Sequence, residues 1–232
     1  MSTTHDATGL ADHRQAGHSA TEGRKTADRL WAYSDAVFAV IVTIMVLQLK
    51  PPTSAHFSAL FSLWPTIISY VVSYVFIAII WINHHYLTRF IRSPSLGLVW
   101  TNFIHLLLVS LLPFTTAWMA QTKLAPVPVM VYAGLFVCTD GAYNMLERHI
   151  LKRADEISEP TRRIARRRSL LALTLFAMAT LAAAFEPWLG FAFVCSGLVL
   201  HIKPDIGARQ TSSKTSASPS EATVPTGSPP QA

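Results

Sequence analysis

The sequence predicts an all-α polytopic membrane protein with six transmembrane helices, and three observations carry that prediction. Hydrophobic residues make up 51% of the 232 positions and charged residues only 14%, far from the balance of a soluble domain. The apolar residues fall in runs of about 20, the length a helix needs to cross a hydrocarbon core of about 30 Å. The basic residues cluster between those runs, so the formal net charge of +6 reads as membrane topology. The expected partner is the lipid bilayer; nucleic acid is not.

Residues 1–28 are polar, with no apolar core and no small-residue cleavage site, and predict a disordered cytoplasmic tail in place of a signal peptide. The first span, 29–51, ends at Lys50 and the Pro51-Pro52 pair, which cannot continue a helix. A second runs over about 60–86 and closes on Asn83, His84 and His85. The third, about 98–119, holds Asn102, His105 and an internal Pro113 that removes one backbone bond and predicts a kink. The fourth covers about 127–146 and carries Asp140 and Asn144 near its end; the fifth and sixth, about 168–184 and 187–202, predict an antiparallel hairpin around Glu186-Pro187. Residues 29–203 thus form the six-helix domain. Residues 204–232, rich in Ser, Thr, Pro and Ala, predict a disordered cytoplasmic tail. Cys138 and Cys195 lie in apolar runs and imply no disulfide framework.

Lysine and arginine accumulate in short cytoplasmic loops. With both termini in the cytoplasm, seventeen of the nineteen basic residues fall inside and only Lys50 and Lys123 outside, which predicts a multi-pass protein of the cell membrane with an even number of spans. The basic run 147–168 reads first as a topology determinant, with contact to anionic lipid as the alternative.

An anchoring helix has little use for Arg29, Ser34, Asp35 and Thr43, because ionisable groups in hydrocarbon are costly and mark pathways or polar networks. At about 100° per residue, Val40, Thr43 and Leu47 share one face, continued by Ala36, while Asp35 lies about 140° from Val40. The first face predicts a conduction pathway. Asp35 is expected against neighbouring helices, with Arg29, His84, His85, Asn102 or Trp81 as partners. Adjacent histidines on a helix diverge by about 100°, so His84-His85 does not make a metal site. Nothing reads as an enzyme active site, and neither a cofactor nor a metal is expected.

The run Arg29-x-x-x-Tyr33-Ser34-Asp35-Ala36-Val37-Phe38, with its apolar continuation to Lys50-Pro51-Pro52, resembles the first-helix signature of the transmembrane protein 175 family of potassium channels. Tyr74, Trp81 to His85, Asn102 and Leu111 to Phe114 extend the resemblance. It implies a homotetramer around a central pore lined by the first helix, with potassium as the permeant ion. Val40, Thr43 and Leu47 would form the hydrophobic constriction, in place of a carbonyl filter. Arg29, Tyr33, Ser34 and Asp35, with Trp81, His84, His85 and Asn102, would form a structural polar lock. Tyr33 stands for the usual Phe, Val40 for a larger Ile or Leu, and Gln48 where an acidic residue is common, departures that bear on selectivity for potassium over sodium. The alternative function is a proton-coupled small-solute transporter using Asp35 and His84/His85; a membrane scaffold acting through its tails or basic loop is a third.

Overall fold

The computed structural model describes residues 3–88, 90–91, 93–152 and 159–201. The tail expected over 204–232, and the loop or tail cations Arg89, Arg92, Arg153, Lys203, Arg209 and Lys214, lie outside the described residues. The regular structure of the described chain is all helical: α1 (Thr3–Leu47), α2 (Ser58–Ser62), α3 (Trp64–Thr88), α4 (Leu96–Ser110), α5 (Leu112–Gln121), α6 (Pro126–Leu151), α7 (Glu159–Ala183) and α8 (Pro187–His201).

α1 runs for 45 residues and begins at Thr3, inside the stretch for which composition predicted disorder. Its alanines, Gln15, Glu22, Arg24 and Lys25 are good helix formers, and extending a helix already nucleated in the span is far cheaper than starting one. The helix stops at Leu47, where Gln48 and Leu49 turn their N–H groups back to Met45 and Val46, ahead of the two prolines.

The second predicted segment divides into the short α2 and the span α3, while the third breaks at Leu111 between α4 and α5. Pro113 explains the break, since it has no N–H to offer the Val109 carbonyl. Two threonines just beyond it add side-chain bonds to the first turn of α5: Thr116 Oγ1 donates to the Leu112 carbonyl at 2.7 Å, and Thr115 Oγ1 reaches the same carbonyl at 3.2 Å. α5 then ends in a tight turn in which Lys123 and Leu124 both take positive φ, 51° and 61°. Leu124 N–H bonds the Met119 carbonyl and Lys123 N–H the Ala120 carbonyl, the paired closure of a Schellman turn.

Four stretches among the described residues are long and apolar enough to cross a membrane: Thr21–Leu47, Trp64–Thr88, Leu96–Gln121 and Pro126–Leu151. The six predicted spans are therefore four by this measure. α7 falls short because its first turns are rich in arginine and its apolar part begins only near Ser169. α8 has 15 residues, about 22 Å of helix. These two form the predicted hairpin, with α8 seated against α7 across a seam of small residues. A Cβ on Gly190 would come within 2.6 Å of the Ala183 Cβ and 2.9 Å of the Ala179 carbonyl, so only glycine allows this approach.

One continuous apolar core joins α1, α3, α4, α5, α6, α7 and α8, with Phe76 stacked on Phe136 at 3.7 Å and Phe176 edge-on to both. Hydroxyls thread it. Thr116 gives its hydrogen to the Leu112 carbonyl, so Ser73 must donate to Thr116 (2.7 Å) and Tyr132 to Ser73 (2.8 Å). This one-directional chain ties α3, α5 and α6 together and satisfies all three buried groups.

Candidate functional site

Packing gives α1 two opposite faces. Ala27, Trp31, Ser34, Phe38, Ile41 and Met45, spaced at four and three residues, form one buried strip against α3, α4 and α5. Ala36, Val40, Thr43 and Leu47 lie about 180° around the helix from that strip. All four are exposed, Val40 at 53% and Leu47 at 80%. The Thr43 hydroxyl is satisfied within its own turn, donating to the Val40 carbonyl at 2.8 Å, so the face needs no neighbour to remain in place. Open clefts flank it: one of about 480 Å³ with Asp35, Val42, Tyr74 and Trp81 among its walls, the other of about 510 Å³ with Ile44, Gln48, Phe114 and Trp118.

The polar residues of α1 divide into separate ties on the two sides of the strip. Trp81 Nε1 on α3 donates to Asp35 Oδ1 at 2.9 Å, and its ring stacks on His85 at 5.6 Å. Asp35 is exposed, contrary to the expectation that it would be enclosed by neighbouring helices: its position on the flank of α1 leaves one side of the carboxylate on the cleft. In a second, buried tie, Asn102 Nδ2 on α4 donates to Ser34 Oγ at 2.9 Å, and Ser34 Oγ donates to the Leu30 carbonyl at 3.0 Å. Asn102 Oδ1 accepts from His84 Nε2 at 2.9 Å, which makes Nε2 the protonated nitrogen of that ring. On the α4 side, Tyr33 meets Phe103 edge-to-face at 5.6 Å.

Of the eight lock residues, seven thus contact α1's neighbours or belong to them, in three groups instead of one. Arg29 is in none of them. It is exposed on the outward face, in register with Ala36, and no described carboxylate lies within ion-pair distance. His84 and His85 are likewise split: His84 sits in the buried tie, His85 beside Trp81.

Sequence reasoning passed over two residues that complete the buried tie. Trp31 on α1 and His105 on α4 enclose the His84 ring, Trp31 edge-on at 5.3 Å and His105 parallel at 6.2 Å. His105 is fully buried and its Nδ1 faces the Thr139 carbonyl of α6 at 3.3 Å, so it links the α1 tie to the bundle's central helix. Its position three residues after Asn102, on the same helix face, was the available signal.

A family model described as endosomal/lysosomal potassium channel TMEM175 matches residues 29–113, which include α1 from Arg29, the Trp81 and His84 partners and Asn102. The architecture agrees over a longer stretch. The crystal structure of a lysosomal potassium-selective channel TMEM175 homolog from Chamaesiphon minutus superposes with a TM-score of 0.71 at 25% identity, covering 79% of this chain and all of that one. The chain is similar to the transmembrane protein 175 family in sequence over residues 29–113 and in fold over most of its described length. Among similar proteins, one from Chryseobacterium sp. named a potassium channel is 29% identical over 181 residues, 78% of this chain and 94% of the relative. Another from Chamaesiphon minutus, also named a potassium channel, is 34% identical over 130 residues, 52% of this chain and 64% of the relative.

Proposed function

We propose that this protein is a potassium-permeable channel of the transmembrane protein 175 kind, in which four copies surround a pore lined by the outward face of α1. The observation that carries the reading is that face itself: Ala36, Val40, Thr43 and Leu47 are left uncovered directly opposite the strip that anchors the helix. A cation-conducting surface built of Val40 and Leu47 with one hydroxyl layer at Thr43 is a hydrophobic constriction, which passes ions by a narrow, wettable path and not by a carbonyl cage. The clefts on either side of α1 offer places for the neighbouring copies to seat. In this reading α7 and α8 supply the fifth and sixth crossings, locally shortening the bilayer. Both termini lie in the cytoplasm of a cell-membrane protein, and Arg29 marks the inner mouth. The Trp81–Asp35 and Asn102–Ser34–His84 ties act as the lock that holds α1 upright while its outward face meets the ion.

The test is potassium flux into liposomes containing the purified protein, with Val40→Asn and Leu47→Asn as variants. Wild-type flux changed severalfold by either substitution supports the constriction. No flux, or flux indifferent to both changes, removes it. Mass measurement of the solubilised particle tests the fourfold assembly, since a monomer leaves no central pore to line.

A further inference from the structure

The basic run 147–168 is unused by the pore. It holds eight Lys or Arg against four Asp or Glu. Within it, Arg148 on α6, Lys152 at the C-cap of α6, and Arg163, Arg166 and Arg167 on α7 are all exposed, and no described carboxylate lies within ion-pair distance of any of them. Although they come from two helices, they occupy one layer. The Ser169 hydroxyl donates to the Asn144 amide oxygen and fixes the register of the antiparallel α6–α7 pair. Measured along the axes from that bond, Arg148 and Lys152 lie about 6 and 12 Å beyond it, and Arg167 and Arg163 about 3 and 9 Å.

The outward face of α7 tells what meets this layer. Ser169, Ala172, Phe176, Ala179 and Ala183 form the buried strip of the helix. On the opposite side Leu170, Leu171, Met178 and Leu181 are exposed, Leu181 at 69%. Arg163 and Arg167 continue that same exposed side toward the start of the helix, within about 60° of its centre line. The face therefore passes from hydrocarbon to guanidinium within one turn, between Leu170 and Arg167. A soluble anionic partner would find the charges but have no use for the leucine face they join. The boundary between acyl chains and headgroups matches both.

We propose that Arg148, Lys152, Arg163, Arg166 and Arg167 form a binding site for the phosphate of anionic phospholipid headgroups, seating the α6–α7 pair at the edge of the bilayer. Guanidinium groups suit this ligand because their fork donates to two phosphate oxygens at once. The apolar part of α7 is short, and headgroups drawn to this layer place the bilayer edge where that part begins. The inference rests on the membrane-spanning reading of the fold and not on ion conduction, so a lipid-binding readout separates its failure from that of the channel.

The experiment uses the full chain in vesicles doped with spin-labelled phosphatidylglycerol or phosphatidylcholine, and reads the ratio of motionally restricted label between the two. The wild type should favour phosphatidylglycerol at least about threefold. R163Q/R167Q should lose half or more of that preference, R163K/R167K should keep most of it, and K50Q/K123Q at the other end of the bundle should leave it unchanged. Should R163Q/R167Q fail to fold, raising the salt on the wild type to roughly 0.5 M replaces it and should erase most of the preference. A wild type without preference overturns the site, as does an R163Q/R167Q protein that keeps it. So does an equal loss in K50Q/K123Q, which would mean net charge alone. Displacement of the labelled lipid by roughly 10 mM inorganic phosphate would make the ligand free phosphate and overturn the lipid assignment.

Discussion

α1 and α6 each carry an aspartate after a hydroxyl residue, Ser34-Asp35 and Thr139-Asp140, yet the bundle treats them oppositely. Only 28% of the apolar stretch of α1 is buried, against 61% for α6. Asp35 is exposed and reaches across to Trp81; Asp140 is 3% exposed and accepts from Asn144 one turn along its own helix. The difference lies in what surrounds each aspartate. α6 presents small residues such as Ala133, Gly134 and Ala142 beside Tyr132, Phe136 and Leu146, so neighbours close on it from several sides. α1 has one strip of large side chains, is held along that line and by the Asp35 and Tyr33 contacts on its flanks, and leaves its opposite face exposed.

The comparison can be broken or sharpened by substitution, with unfolding of the solubilised protein as the common measure. Phe136→Ala on α6 removes the ring stacked on Phe76 and edge-on to Phe176, and should cost about 4 kcal/mol. A loss below about 1 kcal/mol would mean that α6 is not the packing centre. Asn102→Ala leaves both Ser34 and His84 without their shared partner, and should cost about 2 kcal/mol while loosening α1 from α4. Proteolytic sensitivity of the α1 segment should rise with it. Asp35→Ala deletes one exposed acceptor and should cost no more than about 1 kcal/mol, whereas Asp140→Ala should cost at least twice as much; equal losses would erase the distinction between the two aspartates. Leu47→Ala should move stability by less than about 0.5 kcal/mol, the value for an exposed site, and still change potassium flux severalfold.

Much of this was readable from residue spacing. Val40, Thr43 and Leu47 fall on one face by helical period alone, and that face is outward because the large residues Trp31, Phe38, Ile41 and Met45 repeat on the other. The kink followed from Pro113, the hairpin from Glu186-Pro187. Partner choice was not readable: five residues were candidates for Asp35, and the selection of Trp81 depends on how α3 is rotated against α1, which spacing along a single helix does not fix. The Tyr132–Ser73–Thr116 chain left even less trace, because an isolated Ser or Thr in an apolar helix ordinarily satisfies itself on its own backbone. The helical start at Thr3 was missed for a different reason. Composition measures what a segment can bury by itself, and this one grows from a helix already held in the bundle.

The close seam between α7 and α8 also makes the two helices interdependent. Each helix alone is a poor candidate for insertion, one because arginines crowd its beginning and the other because it is short. Joined at Ala184–Glu186 and pressed together where Gly190 meets Ala183, they present a single apolar body with few polar groups to shed. A side chain at residue 190 would therefore disturb the packing of both helices at once, so the hairpin behaves as one body closed by the glycine contact.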